Sequence, residues 1–456
     1  MFVGREKEIT LVKETANSPK TSLLLYGKRK VGKTTLLNFA LENSRNDTVY
    51  YECVKSTLQD NISNFTDRLF EEKVIPVKLV FSTFQEVFAY LNTLPVHLNI
   101  VIDEYPYLKK IEAPEKVDSI FQNIIDNHLT NISLFISGSH VGMMKDLLEE
   151  KNALYGRFNT IIKLKELNYV DTANFYPDKS VYDKVAFFSV FGGSPFVNGC
   201  LSPEKSLKEN VIATVLNPSS AVSNYAENLL MSDLSSSINA ERILLAIANG
   251  KKRHKDIEAK LGMEKNGLLS KHLKTMVDMD LLSKVYPINM KEDKKKVYYE
   301  MTDNLLRFYY TYVYKNKSAL QVLGADSFYE EYIEPSITTF ISHRFEEIGR
   351  TYFSLLVQNK KVKGILDIGT FYYDDNVNKT NGEFDIAIKL KVGYAIYEAK
   401  YYTGALTENE MRQEEKQIKQ IKGLAINKIG FITVSGVEKK IAGLDYIDGE
   451  DLYLLN

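Results

Sequence analysis

Apolar positions follow two alternating rhythms through the first third of the chain. Unbroken apolar runs at Thr21 to Tyr26 (TSLLLY), His97 to Glu104 (HLNIVIDE) and Ile132 to Ile136 (ISLFI) read as short buried strands, and Thr48 to Val54 (TVYYECV) is rich in β-formers. Between them, after Lys33 and again over Phe81 to Leu91, apolar residues recur with helical spacing. Strands that alternate with helices predict an α/β unit: a parallel sheet with helices on both faces and ligands at the carboxyl ends of its strands. From Asn239 the pattern changes to short helical units (AERILLAIANG, HKDIEAKLGM, GLLSKHLKTMVDMDLL), followed by two β-rich stretches flanking Lys291 to Lys296. The last third runs from an amphipathic helix (HRFEEIGRTYFSLL) through two strands (GEFDIAIKL, GYAIYEAKYY) to a Gln-rich helix (RQEEKQIKQI).

Composition narrows the partners without naming them. The 456 residues, 44% apolar and 11% aromatic, can fill the cores of about three domains. Lys and Arg number 58 against 59 Asp and Glu, a net charge of −1, so any nucleic-acid surface has to be local. Cys53 and Cys200 lie outside any CxxC arrangement, which suits a reducing compartment and argues against a zinc ribbon. No apolar run approaches the roughly 18 residues of a membrane helix, and MFVGREKEIT lacks the apolar core of a signal peptide. The expectation is a cytoplasmic protein without membrane association.

The densest chemistry follows the first strand. Gly27-Lys28-Arg29-Lys30-Val31-Gly32-Lys33-Thr34 has the spacing of a P-loop. Such a loop curls its backbone N–H groups around a phosphate chain, with Lys33 reaching the β- and γ-phosphates and Thr34 placed to ligate Mg2+. Thr35 follows in the positive first turn of the helix. Asp103, ending its apolar strand, is placed to hold the Mg2+ shell of ATP, and Glu104 to orient and deprotonate the attacking water. Ser139, after the Ile132 strand, reads equally as a γ-phosphate sensor and as a helix-capping serine.

Five segments in order, FVGREKEI, GKRKVGKT, VIDEYPYL, ISGSHVGMM and LYGRFNTIIKLKEL, together resemble the archaeal-type ATPase family within the AAA-related P-loop proteins. The resemblance implies ATP and Mg2+ as cofactors, ATP hydrolysis, Gly4 and Arg5 near the adenine, and association of copies through this domain. It also implies that Arg157 touches the γ-phosphate or a neighbouring subunit's nucleotide; on residues alone, a salt-bridged arginine beside a glycine turn is the alternative. FGGSPFVNGC, from Phe191 to Cys200, is similar to a turn in that family's helical lid, and its glycines and proline predict a sharp bend.

The segment from Asn239 resembles a winged helix-turn-helix. Lys251 to Glu300 holds 13 Lys and Arg against 8 Asp and Glu. Local basicity of that kind favours phosphate contact, and Ser270, Lys271 and Lys274, with Lys294, Lys295 and Lys296 in the wing, are the residues expected to meet DNA. The alternative is a lid or a docking surface. The aromatic run LLRFYYTYVYKNK reads as a packed helix rather than a base-stacking platform, because its rings fall on most positions.

The C-terminal sequence resembles the PD-(D/E)xK nuclease fold. The resemblance assigns Asp385 to one strand and Glu398 and Lys400 to the next. Period-two geometry puts Glu398 and Lys400 on one face, opposite Asp385, where two carboxylates and a backbone carbonyl could bind Mg2+. Glu346 is the further acid that this fold commonly supplies from a helix, and Gln413 and Gln417 could line the same cleft. An inactive scaffold stabilised by a cross-strand ion pair is the alternative. The resulting expectation is an ATPase core at 1–170, a helical lid at 171–235, a winged helix at 236–320 and a restriction-endonuclease-like α/β domain at 321–456, coupling an ATP switch to DNA.

Overall fold

The computed structural model describes residues 2–111, 113–228, 238–263, 267–290, 297–375, 380–421 and 424–455. They form two compact units: Met1–Glu166 with Ser194–Phe196 and Asp278–Asp280, and the remainder from Leu167 onward.

The first unit is a five-stranded parallel sheet of β1 (Thr21–Tyr26), β2 (Asp47–Glu52), β3 (Leu98–Asp103), β4 (Ile132–Gly138) and β5 (Thr160–Lys163), in the order β2-β3-β4-β1-β5. Its strands send alternate residues to opposite faces. Leu23, Leu25, Val101 and Phe135 pack under helices α1 (Glu6–Ala16) and α2 (Lys33–Leu41). Leu24, Ile100, Ile102, Leu134 and Ile136 meet Phe65, Phe88 and Phe121 from helices Leu58–Glu71, Phe84–Leu91 and Pro114–Asn127 on the other face. Both faces are therefore covered, as uniformly apolar strands require. The helix expected from Phe81 starts at Phe84, because Thr83 caps it by accepting from the Glu86 N–H.

The second unit begins with short helices, including Val181–Phe191 and Leu207–Ala213. It continues with α3 (Ile238–Ala248), α4 (His254–Leu261) and α5 (Leu268–Asp278), then the antiparallel pair β6 (Leu282–Val285) and β7 (Tyr298–Met301). Leu269, Leu273 and Met276 bury one face of α5, while Ser270, Lys271 and Lys274 are exposed on the other. Lys294, Lys295 and Lys296 lie outside the described residues. Tyr309, Tyr310 and Tyr312 are buried, so the aromatic run is core.

A separate mixed sheet closes this unit: β8 (Ile365–Asp375), β9 (Thr380–Leu390), β10 (Tyr394–Lys400), β11 (Ile426–Thr433) and β12 (Leu444–Ile447), in that order. β8, β9 and β10 pair antiparallel, whereas β10, β11 and β12 run parallel. Long helix α6 (Glu334–Gln358) packs Ile341, Phe345, Ile348 and Tyr352 onto Ile386, Ile388 and Ile432; Ile418 of α7 (Glu408–Gln420) meets Ala387, Ile396 and Ile429 on the opposite face. Gly349 marks the closest approach of α6: a Cβ there would stand 2.4 Å from Ile386 Cδ1 and 2.9 Å from Ile432 Cδ1. Gly349→Val is therefore expected to destabilise the second unit by about 1–3 kcal/mol through overpacking, read as a lower denaturant midpoint.

Candidate functional site

The loop between β1 and α2 is shaped by two glycines. A Cβ on Gly27 would lie 2.2 Å from the Leu164 carbonyl oxygen, so no other residue lets the loop pass β5. Gly32, at φ 94°, opens α2 from the left-handed region that glycine adopts without steric cost. Lys33 is buried, and its Nζ donates to the Gly27 and Lys28 carbonyls at 3.1 Å each, so the ammonium lies over its own loop. Thr34 Oγ1 donates to Asp103 Oδ2 at 2.9 Å, joining the two residues proposed for the Mg2+ shell. Arg5 donates to the Val31 carbonyl at 3.4 Å and also to the Lys165 carbonyl, which makes it a strap across the loop.

Asp103 is almost wholly buried at the end of β3. Besides Thr34 it accepts from the Tyr50 hydroxyl and, at 2.9 Å, from the Glu104 N–H. Burial, then the Asp103 charge, pushes the Tyr50 hydroxyl far above its ordinary range. Glu104 has φ 51°, a left-handed conformation that costs a non-glycine residue strain and concentrates at functional positions. Its Oε2 accepts from Ser139 Oγ at 2.9 Å and from the Ser139 N–H at 3.4 Å. Glu52, at the end of β2, is raised by burial and then by Asp103 and Glu104.

Arg157 is not brought to this site within its own chain. Its backbone carbonyl accepts from Ser22 Oγ at 2.8 Å, which puts it beside the amino end of β1, about 13 Å of strand from the loop. Its guanidinium is paired with Asp126 at 3.1 Å and donates to the Ala153 carbonyl at 2.8 Å. A motif read along the sequence places it near other motifs, but the parallel register of β1 and β5 sends it to the amino ends of the strands, away from the loop at their carboxyl ends.

In the second unit, Asp385, Glu398, Lys400 and Glu346 are gathered. The β9–β10 ladder ends at Tyr397↔Ile386, and carrying its register one residue further sets Glu398 opposite Asp385 on one face. Lys400 Nζ lies 3.7 Å from Glu398 Oε2 and 2.6 Å from Glu414 Oε1. Arg350 donates to the Asp385 carbonyl at 2.6 Å, and His343 Nδ1 stands 3.4 Å from Glu346 Oε1. Burial, then the Glu346 charge, raises Asp385 to about 6. Burial raises Glu398 to about 7: Lys400 opposes the rise, while Glu414, Asp385 and Glu346 add to it. Lys400 is itself raised; burial works against this, but two acidic neighbours outweigh it.

Residues 2–196 match a family described as an ATPase domain predominantly from Archaea, and residues 309–418 match archaeal and bacterial proteins of unknown function. Residues 2–196 are thus similar to P-loop ATPase domains. An uncharacterized protein of Methanocaldococcus jannaschii is 29% identical over 379 residues, covering 82% of each chain. An uncharacterized ATP-binding protein of the same organism is 44% identical over 46 residues, 10% of this chain and 78% of that protein. A Walker-type ATPase of Pyrococcus abyssi shares the fold, with a TM-score of 0.51 at 19% identity over 68% of this chain and 96% of that one.

Motif reading missed several residues around both sites. Tyr50 gave no signal beyond its β-rich strand, and only the β2–β3 register brings it to Asp103. Ser194, Pro195 and Phe196 belong with the first unit: Ser194 Oγ donates to the Lys30 carbonyl at 3.2 Å, and Lys30 Nζ stands 4.5 Å from the Phe196 ring centroid. On α7, Glu414 faces Lys400, whereas Gln413 and Gln417 are exposed.

Both sites have donor sets suited to a divalent cation. Thr34 and Asp103, with Glu52 and Glu104 adjacent, supply the hydroxyl and carboxylate oxygens that Mg2+ takes beside a nucleotide. Asp385 and Glu398 supply two oxygen donors held at a cost in burial. No three described Asp, Glu, His or Cys side chains are gathered closely enough to hold an ion by themselves, so the remaining positions would fall to backbone, water or substrate oxygens.

The raised acids give stability a definite slope. Between their ordinary range near 4 and their folded values of about 6 and about 7, Asp385 and Glu398 bind more protons folded than unfolded, so stability falls as pH rises through that window. With chelator present, the second unit's melting temperature is expected to fall from pH 5 to pH 8. Glu398→Gln is expected to flatten the upper half of that profile, and an unchanged slope would remove Glu398 from the cluster.

Proposed function

We propose that the chain couples an ATP-hydrolysing switch to nucleic-acid binding and to metal-dependent cleavage of a phosphodiester backbone. The observation that carries the finer part is the facing of Asp385 and Glu398 across two strands, with Lys400 two residues on and Glu346 beside them. In the ATPase domain, Lys33 exchanges the Gly27 and Lys28 carbonyls for phosphate oxygens. Thr34 and Asp103 would hold Mg2+, which would supply neutralisation of phosphate charge. Glu104, released from Ser139, takes the proton of the attacking water, and Arg157 serves the nucleotide of a second copy.

Helices α3 to α5 with the β6–β7 pair support a winged helix, and exposed Ser270, Lys271 and Lys274 give it a face for phosphates. In the mixed-sheet domain, Asp385 and Glu398 would hold Mg2+, which would supply acidification of water and offset charge on the scissile phosphate. Lys400 positions the nucleophile there. Its 2.6 Å bond to Glu414 favours a second reading, an ATP-switched regulator of DNA or protein whose C-terminal domain is an inactive scaffold.

Lys33→Ala is expected to abolish tight ATP binding, whereas Glu104→Gln keeps binding and slows phosphate release about 100-fold or more. Nucleotide titration and a phosphate-release assay separate the two, and wild-type turnover in both variants would refute the assignment. Replacing Lys271 and Lys274 with Ala should weaken DNA binding and lower its salt slope by up to ~2. For the mixed-sheet domain, labelled DNA is incubated with Mg2+ or Mn2+, with and without ATP. Cleavage lost in Lys400→Ala supports the nuclease reading, and an uncut substrate across these conditions supports the regulator.

A further inference from the structure

The second unit contains a cavity of about 390 Å3 that neither proposed activity uses. One wall is a stripe of α6 at successive helical turns: Ser336, then Thr339 and Phe340, then His343 and Arg344. At 1.5 Å rise per residue the stripe is about 12 Å long, and it changes character along its length. Its first half offers hydroxyls and rings. Tyr312 donates to or accepts from Ser336 at 3.0 Å, and its ring meets Phe340 with centroids 5.7 Å apart.

The other half is cationic. Lys252, Arg307 and Arg344 all line it, with His343, whose pKa is raised by its hydrogen bond to Glu346. Lys252 is paired with Glu300 at 2.8 Å, but Arg307 and Arg344 share the single carboxylate of Glu347, each at 3.4 Å. Arg344 is more than nine-tenths buried, and its Nε has no hydrogen-bond partner. A buried guanidinium N–H without an acceptor is costly, and an anionic oxygen is the acceptor it fits best. A second cavity of about 180 Å3 shares Lys252, Glu300, His343 and Arg344 with the first and reaches Glu346 and Asp385. Thr370, which also lines it, has a buried hydroxyl without a hydrogen-bond partner.

We propose that the larger cavity binds a nucleoside monophosphate, its phosphate on Arg344, Lys252 and Arg307 and its flat base toward Phe340 and Tyr312. Phe340 lies one helical turn, about 6 Å, from Arg344 on a wall about 12 Å long, so an aromatic part and a charged part match that ligand in length and polarity. The same chemistry has two sources, a free nucleotide or the 5′-phosphorylated end of a strand whose next residue would enter the smaller cavity. The site does not depend on the nuclease reading, since none of its phosphate-holding residues belongs to the Asp385, Glu398 and Lys400 set.

The test is calorimetric titration of the full chain with its ATPase site saturated by ADP and Mg2+. The probes are thymidine 5′-monophosphate, thymidine, inorganic phosphate and 5′-phosphorylated dithymidine. The monophosphate is expected to bind below about 1 mM, with thymidine and inorganic phosphate at least ~10-fold weaker. Arg344→Gln should weaken the monophosphate ~10-fold or more. Thr339→Phe, at an exposed position on the cavity wall, should exclude the monophosphate yet leave inorganic phosphate unchanged, which distinguishes a filled pocket from a misfolded one. Dithymidine binding as well as the monophosphate assigns the site to a strand end, and its exclusion assigns it to the free nucleotide. No heat from the monophosphate while ADP still binds, or equal affinity in both variants, overturns the proposal.

Discussion

A carboxyl side chain taken out of water needs hydrogen-bond donors around it, and the first unit is arranged around one such group. Asp103 accepts from three different elements: the Thr34 hydroxyl at the start of α2, the Tyr50 hydroxyl on β2 and the backbone N–H that follows it. Those bonds fix the first turn of α2 against the end of β3. The loop before α2 is thereby held in place, with its curvature set by Gly27 and Gly32. The same junction turns the chain at Glu104 into a conformation that non-glycine residues seldom adopt, and so aims its side chain at β4 rather than along β3.

The mixed-sheet domain meets the same constraint with fewer donors. Burial above all raises the proton affinity of Asp385 and Glu398, and the acids they face add to it while nearby cations oppose it. Lys400 divides its contacts between Glu398 and Glu414, so this lysine is shared with a residue of α7. A cluster of this kind is poised rather than neutralised. It gains from any cation or proton that enters, which is why similar geometry can belong to a metal-binding site or to a pH-sensitive scaffold.

Much of this was legible along the chain because the chemistry is local. The P-loop glycines, Lys33 and Thr34 lie within eight consecutive residues, and Asp103 ends an apolar strand that burial alone identifies. Glu398 and Lys400 were readable for the same reason, since residues two apart on a strand share a face. What escaped was set by register between distant strands and by helix phase. Tyr50 reaches Asp103 because β2 pairs with β3 in one particular alignment. Arg157 is carried away from the loop because β5 runs parallel to β1, and α7 turns Glu414 toward the strands while exposing its glutamines. Neither alignment nor phase leaves a mark in a short motif.

The segment Ser194–Phe196 joins the first unit from 164 residues beyond the loop it contacts. Its position has a temporal consequence. A chain emerging from the ribosome can assemble the five-stranded sheet once β5 has been made, yet the loop lacks this wall until synthesis has passed Phe196. Contacts so distant in sequence form late and carry a loop-closure cost. During synthesis the nascent first unit therefore passes through a stage in which its sheet is complete and the loop between β1 and α2 is still unsupported on that side.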